Sequence, residues 1–376
     1  MNSPTVVISG IGAYSGFGQG TSKLWDCIAG KESIFGKNLS GNVFDIALSS
    51  GQEAIKSSGL ISLPAETGFV LGTNVGNVAL LSKAYGTDSS LTFSIDHINN
   101  WANHQVLADE IGKNLGIYKK VSALTGACAS GALAIGYAFD LISRGISEVV
   151  LAGGADENTE FKSSGHHLIK SASISGQVKP FDINRDGTVF SGGAGFLILE
   201  SLEHCLKRNH KPMALISGYG VGTDLNSFTA PDENGIGAEI AIRSAIKDAQ
   251  LLPESINHIQ AHGTGTKLND IIESKVIERV FGKNLSELTV SADKGSIGHT
   301  FGASGVLSII LTVLMIQKNI VLPITGCETP DPSCTIPLVV NEERKNKITA
   351  AICNNFGFGG CNVSIVVQCY EDPNEI

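Results

Sequence analysis

Val6-Val7-Ile8-Ser9-Gly10-Ile11-Gly12, near the start of the chain, returns in altered form as Ala214-Leu215-Ile216-Ser217-Gly218-Tyr219-Gly220 in its middle. Each segment is an apolar run ending in glycines, which reads as a buried strand closed by a turn. The echo continues in the same order. Val121-Ser122-Ala123-Leu124-Thr125-Gly126 resembles Val290-Ser291-Ala292-Asp293-Lys294-Gly295, and the helix starts Ala129-Ser130-Gly131-Ala132-Leu133 and Ala303-Ser304-Gly305-Val306-Leu307 follow. A third match joins Gly192-Gly193-Ala194-Gly195 to Gly359-Gly360-Cys361-Asn362. Three ordered matches, each in a strand-and-turn setting, predict two similar halves, residues 1–210 and 211–376. The stretch from Gly12 to Val121 is longer than its counterpart from Gly220 to Val290, so the first half is expected to carry inserted structure, a cap or a subunit interface.

Between the strands, helices are expected at Ala238 to Gln250, Asp270 to Phe281 and Ala303 to Gln317, the alternation of parallel sheets covered by helices. Two halves of this kind predict a layered α/β/α/β/α fold. With 376 residues, 42% hydrophobic and 17% charged, the chain can bury a large core. Its 44 glycines follow no triplet period and imply sharp turns and close backbone approach rather than collagen or disorder.

A net charge of -9 argues against nucleic acid as a partner, which requires a basic surface to displace counterions. The longest apolar run, Gly305 to Ile316, is too short to span a bilayer, and Met1 to Gly10 lacks the basic start of a secretory signal. No membrane is therefore expected, and a cytoplasmic location is. Eight cysteines show neither a C-x-x-C pair nor metal-ligand spacing, so no metal is expected and a single cysteine is free to act as a nucleophile.

Cys128 lies where the expected strand Lys120 to Leu124 meets a helix. Amide groups at a helix start favour a thiolate, and the small neighbours Ala127, Ala129 and Gly131 leave room for a thioester. Taken alone, Cys128 reads equally well as an inert core thiol. His262-Gly263-Thr264-Gly265-Thr266 follows the apolar strand Ile256 to Ala261, and Lys294-Gly295-Ser296-Ile297-Gly298-His299 occupies the loop that mirrors the nucleophile loop. Histidines in glycine-bounded loops after strands face clefts and move protons. His166, His167 and His204 read as surface residues. Asn354-Asn355-Phe356-Gly357-Phe358-Gly359-Gly360 follows the strand Ile348 to Cys353; it is either an ordinary glycine turn or a loop that aims a backbone amide at an oxyanion.

With these four segments in order, the chain resembles the elongating Cys-His-His type of β-ketoacyl-acyl carrier protein synthase, a ketosynthase of the thiolase superfamily, over nearly its whole length. Lys179-Pro180-Phe181-Asp182 and Arg185-Asp186-Gly187 resemble another family segment. The resemblance implies a thiolase-like fold and an acyltransferase in fatty acid, polyketide or polyene biosynthesis. Cys128 would accept an acyl chain, with the amides of Cys128 and Phe358 as oxyanion donors. His262 and His299 would then assist decarboxylation of a malonyl thioester. It further implies that Lys294, Asp270 and Glu273 surround the histidines, that Thr264 and Thr266 bind pantetheine, and that Phe358 gates the acyl chain. No resident cofactor is implied, since the phosphopantetheine arm arrives on an acyl carrier protein; the expected assembly is a homodimer or a heterodimer with a related subunit.

The chain departs from the family pattern at Gly126, where threonine is common, at Gly192, where an acidic residue is common, and at Cys361, where threonine is usual. Three other readings stay open: acyl transfer without condensation, a chain-length-factor-like partner of another ketosynthase, and a thiolase using Cys361 as a second cysteine.

Overall fold

The glycines of the repeated strand are there because a helix lies on them. In the computed structural model, which describes residues 3–34, 41–77 and 103–372, Gly12 of β1 (Val6–Ser15) faces the helix Val43–Ser57. A Cβ at Gly12 would lie 2.0 Å from the carbonyl oxygen of Ser50. Gly220 of β7 (Ala214–Thr223) faces the helix Ile236–Asp248 in the same way, and a Cβ there would come within 2.1 Å of the carbonyl oxygen of Ala241. Any side chain at either position would push its helix off the sheet.

The remaining strands are β2 (Gly18–Gln19), β3 (Gly68–Gly72), β4 (Val121–Leu124), β5 (Val149–Asp156), β6 (Gly193–Ser201), β8 (His258–Gln260), β9 (Thr289–Ser291), β10 (Ile320–Val321), β11 (Arg344–Lys345), β12 (Ala350–Phe356) and β13 (Cys361–Gln368). The main sheet runs β4-β3-β5-β6-β1-β7-β13-β12-β8-β9, with β2 beside β1, while β10 and β11 pair separately. From either end it is the same ladder. β4, β3 and β5 are parallel and β6 and β1 follow antiparallel; β9, β8 and β12 are parallel and β13 and β7 follow antiparallel. The ladders meet where Val6, Val7 and Ile8 lie against Ile216, Leu215 and Ala214, within the pair of segments that echo each other in sequence.

Helices Val43–Ser57 and His104–Asn114 cover the outer face of the first ladder through Ile46, Ala54, Leu107 and Ile111. Helices Ile236–Asp248 and Lys267–Phe281 cover the second through Ile242, Ile246, Val276 and Ile277. Between the ladders, Ser130–Ser143 and Ser304–Lys318 share one core with Val150, Leu197, Ile365 and Val367. The result is the expected five-layer α/β/α/β/α arrangement.

Joined to the short turn before it, the second central helix spans Phe301–Lys318, 18 residues long and apolar enough to cross a membrane by composition, but 83% buried within the protein. Both ladders wall it, which accounts for its apolar character on every side. Lys267–Phe281 starts ahead of the expected Asp270 and carries Asn269, Asp270 and Glu273 on its buried side. The expected cap or interface in the first half falls partly on residues 78–102, outside the described residues.

Candidate active site

After β4 the chain turns through Gly126 and Ala127, and Cys128 occupies the middle of the 3-10 turn Ala127–Ala129 that leads into Ser130–Ser143. Ala127 has φ 51, a left-handed conformation costly for a residue with a Cβ. The Ser130 hydroxyl holds the turn, accepting from the Gly126 N–H at 2.9 Å and donating to the Ala127 carbonyl at 2.7 Å. Cys128 is buried, and burial pushes its thiol up to about 11, against the pull of the Phe358 N–H directed at its sulfur and of the Lys294 charge. Desolvation thus opposes the pull of the helix start toward the thiolate.

Across the cavity, the rings of His262 and His299 stand 5.6 Å apart and perpendicular, at 89°. Burial, and next to it the Lys294 charge, hold both imidazoles well below the usual histidine range, so both are neutral. His299 has a defined tautomer. The Phe301 N–H donates to its Nδ1 at 3.0 Å, so the ring proton sits on Nε2. His262 is placed through its backbone: the N–H groups of His262 and Gly263 donate to the two carboxylate oxygens of Glu273 at 2.8 and 2.9 Å. Asn354 also donates to Glu273, at 3.1 Å.

Asp270 accepts from the Phe181 N–H at 2.7 Å and from Asn269 at 3.1 Å, with the Thr264 hydroxyl at 3.5 Å and the Thr264 and Thr266 hydroxyls 2.9 Å from each other. Burial raises the carboxyls of Asp270 and Glu273, and these N–H donors pull them back. Lys294 is not hydrogen-bonded to either carboxylate. Its buried Nζ has no hydrogen-bond partner among the described residues and lies 3.8 Å from Asp293. Around the histidines these three residues act by different means: Glu273 braces the His262 loop, Asp270 holds Phe181 and Thr264, and Lys294 acts on the imidazoles through its charge.

The other family-like segment is a brace as well. Arg185 is buried and donates to the carbonyls of Thr266, Lys267 and Asp182 and to Asp331. The two departures Gly126 and Cys361 prove to be neighbours, since a Cβ at Gly126 would lie 3.2 Å from the Cys361 Sγ and 2.4 Å from Leu133. Gly126 makes room for Leu133 and the Cys361 thiol, and Cys361 is not among the residues lining the cavity.

That cavity, of about 370 Å³, brings together Cys128, His262, His299, Thr264, Thr266 and Phe358. The sequence reading missed one wall of it. His166, expected at the surface, lines the cavity and stacks on Phe190 with ring centroids 3.8 Å apart. His204 is also drawn inward, its Nδ1 2.6 Å from the buried Glu200. Among the described residues, no group of three or more His, Cys, Asp or Glu side chains is placed to hold a metal.

Residues 41–205 match the Beta-ketoacyl synthase, N-terminal domain, and residues 213–328 match the Beta-ketoacyl synthase, C-terminal domain. The chain is 30% identical over 420 residues to 3-oxoacyl-[acyl-carrier-protein] synthase 2 of Coxiella burnetii, covering 98% of this chain and 99% of that one. Among solved structures it is similar to AntDE:AntF, a type II PKS acyl-carrier protein in complex with its ketosynthase bound to the hexaketide, at 25% identity and TM-score 0.90, covering 98% of this chain and 100% of that one. It is also similar to the ishigamide ketosynthase/chain length factor, at 26% identity and TM-score 0.87 with the same coverage. Two domains in the right order, matched end to end by sequence and by fold, place this chain in the β-ketoacyl synthase family.

Proposed function

We propose that this acyltransferase extends a Cys128-bound acyl chain by decarboxylative Claisen condensation with a malonyl thioester, in fatty acid or polyketide synthesis. The observation that carries the proposal is the tautomer of His299: an Nε2–H donor, perpendicular to a second neutral imidazole, in the cavity that holds Cys128. In the first half-reaction the sulfur of Cys128 bonds to the acyl carbon, and the pantetheine thiol leaves with the proton. The N–H of Phe358, directed at that sulfur, supports a role for it and the Cys128 N–H as oxyanion donors. In the second, the malonyl thioester loses carbon dioxide, and Nε2–H donation stabilises the enolate oxygen without a strong base. The carbanion then bonds to the acyl carbon and Cys128 leaves. Thr264 and Thr266 line the path of the pantetheine arm, Phe358 gates entry of the acyl chain, and no resident cofactor takes part.

On this reading the half 1–210 supplies the nucleophile and the half 211–376 both imidazoles. Exposed Phe228 and Leu268, with Lys170 and Lys267, also line the cavity and suit a carrier protein that inserts its arm. A dimer is supported by the contrast between the sheet edges: Val121–Leu124 of β4 is half-exposed, whereas Thr289–Ser291 of β9 is buried, with Val290 bonded to Pro337 and Val339. The proposed setting is the cytoplasm.

The test is intact mass of chain and carrier after incubation with a short acyl-carrier and a malonyl-carrier, Cys128→Ala alongside. The expected outcome is a β-ketoacyl carrier with the native chain and none with the variant. Acylation without loss of carbon dioxide would favour transfer alone, and no acylation at several chain lengths would favour the chain-length-factor reading.

A further inference from the structure

One wall of the cavity is left unused by the condensation chemistry. His166 stacks on Phe190 and lies 5.6 Å from the ring of Phe358, the residue whose N–H is directed at the Cys128 sulfur. Cys128 opens on the same cavity, so an acyl group held there has His166 among its walls. The Nδ1 of His166 is 3.0 Å from the Ser171 hydroxyl, which also lies 3.2 Å from the His166 carbonyl oxygen. The Nε2 has no partner among the described residues. Thr188 belongs to the same wall, its N–H donating to the Ser171 carbonyl at 3.0 Å, and its buried Oγ1 has no partner among the described residues.

The imidazole is neutral. Burial, and next to it the Lys162 charge, lower it to about 4. Lys162 itself is committed elsewhere, 3.0 Å from Asp156, 2.7 Å from the Glu157 carbonyl and 4.3 Å over the ring of Phe301. If the Ser171 hydroxyl donates to the His166 carbonyl, Nε2 is a bare acceptor; if it donates to Nδ1, Nε2 carries a proton to donate. The first state pairs with a hydroxyl or enol and the second with a ketone. A methylene pairs with neither: a hydrocarbon chain packed here would seal the His166 Nε2 from water without a partner and leave the already buried Thr188 hydroxyl as unpaired as it stands, whereas an acyl oxygen offers a partner.

We propose that His166 and Thr188 select acyl groups bearing a β-keto or hydroxyl oxygen over saturated chains. The proposal rests on the reading of Cys128 as the acylated nucleophile. It is tested by the initial rate of Cys128 acylation, followed by intact mass, with 3-oxobutyryl-, 3-hydroxybutyryl- and butyryl-pantetheine, which differ only at the third carbon. The expected result is a preference of about tenfold or more for an oxygenated chain. His166→Phe, which keeps a ring on Phe190 but removes the nitrogens, brings the ratio close to one, and Thr188→Val lowers it independently; thermal melts verify folding of both. Equal rates in the native chain, or a preference that survives both substitutions, would overturn the proposal while leaving the nucleophile reading intact. No acylation of Cys128 by any of the three overturns the nucleophile reading itself.

Discussion

In the first half the chain passes through Gly126, Ala127 and Cys128 into the helix Ser130–Ser143; in the second it passes through Thr300, Phe301 and Gly302 into Ser304–Lys318. The backbones repeat in detail. Ala127 and Phe301 have φ 51 and 52, and the hydroxyls of Ser130 and Ser304 accept from the N–H of Gly126 and Thr300 at 2.9 and 3.0 Å. What differs is the surroundings. Cys128 opens on the cavity, whereas a Cβ at Gly302 would lie 2.6 Å from the Asp156 carboxylate, which instead accepts the Gly302 N–H at 2.8 Å. One copy of the turn presents a nucleophile; the other is tied down, and through the Phe301 N–H it fixes the ring of His299.

The comparison breaks most sharply if the nucleophile can be moved. Exchanging the pair, Cys128→Gly with Gly302→Cys, is expected to lower acylation by roughly a thousandfold or more, because the new thiol meets Asp156 and not the cavity. A labelled cysteine at position 302, read by peptide mass, would show the two turns to be interchangeable. A second expectation concerns pH. Because burial raises the Cys128 thiol to about 11, iodoacetamide alkylation should climb about tenfold per pH unit from pH 7 to 10. A plateau near pH 9 would mean that the turn offers no more burial than solvent does. A third expectation sharpens the role of the carboxylate. Asp156 accepts from Thr73, Asn74, Val75, Gly302 and the buried Lys162, so Asp156→Asn should cost roughly 3–5 kcal/mol in urea unfolding. It should also slow condensation more than acylation, since the loosened turn is the one that holds His299.

The β1 and β7 echo exposed the fold because its glycines answer a local demand, the approach of one helix to one strand. The chemical residues were visible in sequence because each sits in the loop that follows a strand, flanked by its own glycines. What stayed hidden depends on partners far along the chain. His166 stands beside His167 and Leu168 in a stretch that reads as surface, and it is the distant Phe190, Phe301 and Phe358 that draw its ring into the cavity. Asp156 and Lys162 bear no motif; their importance lies in the loops they gather. The paired glycines Gly126 and Gly295 were also misleading as a guide to register. Around the turn, Gly126 corresponds in its hydrogen bonding to Thr300, because the longer second loop spends extra residues on the short helix Lys294–Ile297. Nor does either departure, Gly126 or Cys361, reveal alone that each fits the other.

The shared central layer sets an order on synthesis. Ser130–Ser143 leaves the ribosome well before Ser304–Lys318, the helix that completes its core. At about 5–20 residues per second the nascent first half waits on the order of ten seconds or more with that apolar face uncovered. A chaperone therefore has a defined interval in which to act, and it closes only when the last turn of the second helix is made.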